Sequence, residues 1–198
     1  MLWAKRAYAI RPYIGAVAFM TYDPEQHHRR SIRVASRDYA TVGSYFVTIC
    51  TYDREELFGD IVAGCMKLNA LGTIVAREWV KTERVRPAVD LDSWVVMPNH
   101  IHGIIVLRTA MDNRSDTAQG GLHSPSETIG AIVRGFKAAA TRQINTHRGT
   151  PGVTVWQRNY YEHIIRNDDE LSRIRAYIDT NPSRWNDDTL NPITHPQM

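Results

Sequence analysis

Residues Asp92-Ser93-Trp94-Val95-Val96-Met97-Pro98-Asn99-His100-Ile101-His102-Gly103-Ile104-Ile105-Val106-Leu107 hold two apolar runs joined by Met-Pro-Asn. Each run has the length and composition of a strand. The joint is too short for a parallel crossover, so the two pair antiparallel. Side chains at i and i+2 of a strand share a face. His100 and His102 therefore aim one way, at one end of the sheet, and Ile101 aims the other. Two imidazoles side by side suit one divalent cation, whereas a bare His-x-His is short and common and also describes ordinary polar residues at a strand end.

Upstream, Gly43 to Thr51 is rich in β-branched and aromatic residues and reads as the first strand. Residues 61–84 carry Ile61, Met66, Leu68, Leu71, Ile74, Val75 and Trp79 at broadly helical spacing, which predicts one long helix ended by Arg86-Pro87. Downstream, residues 108–124 are polar, contain Gly120-Gly121 and read as a loop. Ser124, Pro125 and Glu127 mark a helix start, and the helix from 125 to about 145 buries Ile129, Ile132, Val133, Phe136 and Ala140. Val153 to Ile165 is the last strand, with an irregular lead. Asn167 and the acidic residues after it start a helix over about 168–180, which Asn181-Pro182 stops. The order β-α-β-β-α-β-α predicts an α+β fold, an antiparallel β-sheet of ferredoxin-like split βαβ order with helices packed on it and one further C-terminal helix.

A length of 198 residues suits one domain. We expect residues 1–20 to be an unstructured extension or a mis-assigned start, 21–186 the domain and 187–198 an irregular tail. The hydrophobic content of 43% is that of a globular protein, and the net charge of +3 permits an anionic partner without requiring one. Cys50 and Cys65 have neither metal nor redox spacing, which suits reduced thiols and a cytoplasmic location. No apolar run nears the roughly 20 residues of a membrane span. The absence of a Gly-x-x-x-x-Gly-Lys loop argues against a nucleotide cofactor.

Three segments concentrate cations. Arg29, Arg30 and Arg33, beside His27 and His28, read equally as a solvated arm or as one that meets phosphates. Arg134, Lys137 and Arg142 occupy the polar side of the second helix, either a solvated face or a nucleic-acid face. Trp156, Tyr160 and Tyr161 interleave with Arg158, His163 and Arg166, residue types that single-strand binding uses and that any twisted strand also tolerates. On the last helix Leu171, Ile174 and Ile178 form the buried stripe, and Tyr177 falls about 90° from its centre. Asn181 lies on the same side as Tyr177, four residues on. For a lone tyrosine, that position also describes a rim residue with its ring packed and its hydroxyl wet.

Taken together, Trp94 to His102, then Trp156 to Arg166, then Tyr177-Ile178-Asp179-Thr180-Asn181-Pro182 resemble the REP-associated tyrosine transposases, within the wider group of HUH single-tyrosine transposases. The resemblance extends to His27 to Arg33 and Tyr45 to Thr51, and covers about residues 21–186. It implies chemistry on single-stranded DNA hairpins through a 5′-phosphotyrosine, with a divalent metal, Mg or Mn. It implies further that His100 and His102 bind the metal, that Asn181 completes the metal site and that Tyr177 is the catalytic nucleophile. Tyr160 and Tyr161 are rival phenols, ranked lower because only Tyr177 fits the Tyr-Ile-x-x-Asn-Pro pattern. The alternative is a catalytically silent DNA-hairpin-binding protein of the same fold. Either would be a monomer or a homodimer.

Overall fold

The computed structural model describes residues 42–108 and 128–194. Strand β1 is Gly43–Cys50, β2 is Gly59–Val62 and β3 is Cys65–Leu68. Helix α1 (Ala70–Arg84) leads into β4 (Val89–Met97) and β5 (His100–Leu107). Helix α2 (Ile129–Arg148), β6 (Tyr161–Ile165), α3 (Asp168–Thr180) and a 3₁₀ turn (Pro182–Asp187) complete the order. The main sheet runs β4-β5-β1-β6 with every pair antiparallel, which is the split βαβ arrangement the sequence predicts.

The sheet has two dry faces. On one, Tyr45, Val47, Ile49, Ile101 and Ile105 meet Val75 and Trp79 of α1 and Ile132, Val133, Phe136 and Ala140 of α2. Gly103 lies on this face of β5, and a Cβ there would fall 2.5 Å from Trp79 Cζ2, so only glycine lets the indole lie against the strand. On the other face, Phe46 and Ile104 pack against Ile178, with Leu171, Ile174 and Tyr177 beside them. Helix α3 thus covers the face to which His100 and His102 belong. An ion pair pins it there: Arg175 Nε donates to Asp92 Oδ1 at 2.8 Å, at the irregular point of β4 between Leu91 and Trp94.

Two expectations need correction. The helix predicted over 61–84 is a short hairpin, β2–β3, followed by a helix that starts at Ala70. Ala63 and Gly64 turn the hairpin with φ of 50° and 73°, and Asn69 caps α1 by accepting from Gly72 N at 2.9 Å. Helix α2 begins at Ile129 rather than 125, because Thr128 caps it through Ala131 N; Ser124, Pro125 and Glu127 lie outside the described residues. It runs on to Arg148, where Gly149 takes the left-handed conformation.

Candidate active site

The sheet register assembles the site. Pairing of β1 with β5 sets Thr48 opposite His102 and Cys50 opposite His100, and pairing of β1 with β6 sets Tyr161 opposite Thr48. Alternation then puts Phe46, Thr48, His100, His102 and Tyr161 on the α3 side. The histidines are buried, at 0% and 2% exposure. Their Nε2 atoms face each other at 3.0 Å. The outer nitrogens are engaged as well, His100 Nδ1 with Asn99 Oδ1 at 2.8 Å and His102 Nδ1 with Thr48 Oγ1 at 2.8 Å. Phe46 stacks on His102 with centroids 5.3 Å apart, and Trp185 closes over His100 at 5.9 Å.

Helix α3 brings the phenol. Tyr177 Oη lies 3.1 Å from His102 Nε2, and its ring stands edge-on to Phe46 at 6.1 Å. Asn181, one turn on, is 3% exposed; its Nδ2 donates to Asp188 Oδ2 at 3.1 Å. Asp188 arrives from the stretch after the 3₁₀ turn, and His100, His102 and Asp188 each offer one ligand atom, all within 4.8 Å of one another. Two ties hold that stretch: Arg54 donates to Thr189 O at 2.9 Å and Asn99 Nδ2 donates to Leu190 O at 2.8 Å.

Electrostatics follow from burial. Loss of solvent pushes the His100 pKa down to about 3, with Arg54 adding to the effect, so the ring is neutral. Burial and the neighbouring His100 hold His102 well below the ordinary value. Tyr177 is raised well above a free phenol by burial and then by the Asp188 carboxylate, against a smaller opposing hydrogen bond from Asn181. The site therefore holds neutral nitrogen donors and a protonated phenol beside the Asp188 carboxylate, with the Arg54 and Arg184 guanidiniums close enough to be felt.

These residues fit a small divalent cation. Neutral imidazoles with bare nitrogens and a carboxylate are ordinary ligands. Asn181 Oδ1 is buried without a hydrogen-bond partner, an oxygen of the kind that hard cations take. His100, His102, Asn181 and Tyr177 thus lie together, and Asp188 joins them. Nothing in the sequence singled out Asp188, since it sits in a polar stretch without periodicity.

Elsewhere the structure sorts the rival groups. Tyr160 packs on the helix side of the sheet and donates to Glu162 Oε2 at 2.6 Å, away from the histidines. Tyr161 is on the histidine face, 45% exposed, its ring 6.2 Å from Phe46. Arg29, Arg30 and Arg33 lie outside the described residues. Arg134, Arg142, Arg158 and Arg166 are exposed. A groove of about 750 Å³ between the C-terminal half of α2 and residues 149–158 takes in Arg142 and Arg158. Two readings are corrected here. Trp156 is 5% exposed and packed between Phe58 and Phe136, so it is a core ring and not an open stacking surface. Lys137 donates from Nζ to the carbonyls of Gln157 at 2.8 Å and Asn159 at 2.9 Å, so it holds a loop; burial draws its pKa down to about 8. Among the described residues no helix is long and apolar enough to cross a membrane.

The fold and site define an α+β domain whose antiparallel sheet presents paired histidines to a tyrosine on a covering helix. No protein-family model matches the chain. It is 41% identical over 175 residues to an uncharacterized protein of Haemophilus influenzae, across 85% of this chain and 96% of that one, and it belongs to the same family as that protein. Among solved structures it is similar to a REP-associated tyrosine transposase bound to a REP hairpin, at 22% identity and a TM-score of 0.46, over 82% of this chain and 73% of that one. It is also similar to a putative transposase of Deinococcus radiodurans, at 19% identity and a TM-score of 0.40, over 73% of this chain and 94% of that one.

Proposed function

We propose that this chain is a transposase of the HUH single-tyrosine kind. In this reading it is a metal-dependent single-stranded DNA endonuclease and strand transferase acting on hairpin-bearing DNA through a 5′-phosphotyrosine. One observation carries the proposal: the Tyr177 phenol oxygen stands 3.1 Å from His102 Nε2, which itself stands 3.0 Å from His100 Nε2, with Asp188 beside them.

In this reading His100, His102, Asp188 and the Asn181 amide oxygen hold Mg²⁺ or Mn²⁺. A divalent cation held there would add positive charge, which would lower the phenol's pKa and polarise a non-bridging phosphate oxygen. Tyr177 Oη loses its proton to solvent and attacks phosphorus. The new O–P bond forms as the bond to the 3′ oxygen breaks, and that oxygen leaves as a hydroxyl after taking up a proton. Phe46 and Ile178 keep the ring oriented toward the histidines, so that attack needs little rearrangement. A phenol, with a pKa of ~10, leaves more readily than an alkoxide, which makes the linkage reversible and permits strand transfer. Arg142 and Arg158 in their groove, with the exposed Arg166, offer cations to a phosphate backbone.

The test is covalent capture. Incubated with hairpin-bearing single strands and Mn²⁺, the protein should form an adduct that survives a denaturing gel, and Tyr177→Phe should bind the strand and form none. An adduct with the Phe variant would refute the assignment. Binding without any adduct from the parent chain would identify the silent hairpin-binding alternative.

A further inference from the structure

Two facing imidazoles serve a cation only when both inner nitrogens are bare, and the partners of the outer nitrogens decide that. Asn99 settles it for His100. Its Nδ2 donates to Arg54 O at 3.0 Å and to Leu190 O at 2.8 Å, both groups that only accept. The amide orientation is fixed by those two bonds, so oxygen is what faces His100 Nδ1 at 2.8 Å. An amide oxygen only accepts, hence Nδ1 carries the ring proton and Nε2 is bare. Asn99 is 1% exposed, so water does not compete.

His102 has a different partner. The Thr48 hydroxyl, 2.8 Å from His102 Nδ1 and 9% exposed, either donates or accepts. With no cation, the 3.0 Å approach of the two Nε2 atoms needs one proton between them. His100 cannot supply it, so it sits on His102 Nε2, to which Tyr177 Oη at 3.1 Å then presents its oxygen as an acceptor, and Thr48 donates to Nδ1. With a cation, both Nε2 atoms must be bare, and the His102 proton must then be on Nδ1 with Thr48 accepting.

We propose that Asn99 and Thr48 are positioning residues that set the imidazole protons for a divalent cation: Asn99 holds His100 in its Nδ1–H form, and Thr48 lets His102 pass from Nε2–H to Nδ1–H as the cation enters. The proton count is unchanged, because His102 gives one proton to solvent from Nε2 and takes one back at Nδ1. Asn99 has a second duty, since the bond to Leu190 ties the stretch that delivers Asp188 to the turn that delivers His100. The inference rests on the cation reading above.

The experiment titrates the full chain with Mn²⁺ and with Mg²⁺ in a calorimeter, and records imidazole ¹⁵N spectra with and without Mg²⁺. His100 should be Nδ1–H in both states, and His102 should change from Nε2–H to Nδ1–H. Thr48→Val, close in shape, should bind Mn²⁺ about tenfold or more weakly, and Thr48→Ser should regain the affinity. Asn99→Ala also cuts the ties to Arg54 and Leu190, so the Thr48 pair carries the decision. Parent-like affinity in Thr48→Val, or a His100 ring found as Nε2–H, overturns the proposal while leaving the cation site standing. A parent chain that binds neither ion removes the cation reading, and this inference with it.

Discussion

Replacing Gly103 by alanine puts one methyl group where the sheet and α1 have no room for it. The added Cβ would lie 2.5 Å from Trp79 Cζ2 and 3.1 Å from Cε2. Carbon atoms pack at ~3.5–4.0 Å, so the overlap is about 1 Å. The indole cannot swing aside, because it is fully buried and edge-on to Phe136 at 5.1 Å. Nor can β5 step back freely, being paired to β1 on one side and β4 on the other. The strain must be met by shifting α1 or bulging the strand, at about 1–3 kcal/mol. For a domain of this size that lowers the melting temperature by roughly 3–10 °C. Because His102 and Ile104 flank the site of strain, Mn²⁺ affinity should fall alongside. Thermal and urea unfolding give the first quantity and calorimetry the second. A variant that melts within about 1 °C of the parent would show that the strand and the indole are not locked together.

Asp188→Asn should lower Mn²⁺ affinity at least about tenfold with circular dichroism unchanged, and an unaltered affinity would reduce Asp188 to a hydrogen-bond partner of Asn181. The Arg175 guanidinium holds the Asp92 carboxyl below the usual range. The folded pKa lies under the unfolded one, so the contribution is complete above about pH 4 and is lost as pH falls through the folded value. Asp92→Asn should therefore cost about 1 kcal/mol near neutrality and nothing at low pH, as read from urea midpoints across pH. A cost independent of pH would assign the loss to packing. Lys137→Met should destabilise the fold by about 1–2 kcal/mol through the freed carbonyls and barely alter the salt dependence of DNA binding. Arg158→Ala should instead lower the slope against log salt by about one, and the opposite pattern would return Lys137 to the DNA face.

The sheet was legible because each of its long strands is a run of apolar and β-branched residues bounded by turns, and the His-x-His spacing fixed which side chains share a face. The β2–β3 hairpin was not. Ile61, Met66 and Leu68 happen to fit a helical stripe, and each strand is only four residues long. The usable signals were Ala63-Gly64 at the turn and Asn69 as a cap, both weak when read alone. Tyr177 and Asn181 could be placed from helical spacing, since both lie on one continuous helix and its cap. Asp188 could not, because its approach to the histidines depends on tertiary ties from Arg54 and Asn99. Lys137 shows the same limit from the other side. Its place on a basic stripe says nothing of the carbonyls that its four-carbon stem reaches.

Biosynthetic timing follows from the tether between Asn99 and Leu190, which are 91 positions apart. A ribosome makes both imidazoles well before the carboxylate, so a polypeptide that has just reached the end of β6 has all four strands of the sheet and no Asp188. Leu190 must be out of the exit tunnel before the Asn99 amide can tie the Asp188 stretch beside the histidines. A nonsense codon shortly before Asp188 should leave a product with all four strands of the sheet and without the Asp188 carboxylate, and on the proposed cation reading its Mn²⁺ affinity should fall.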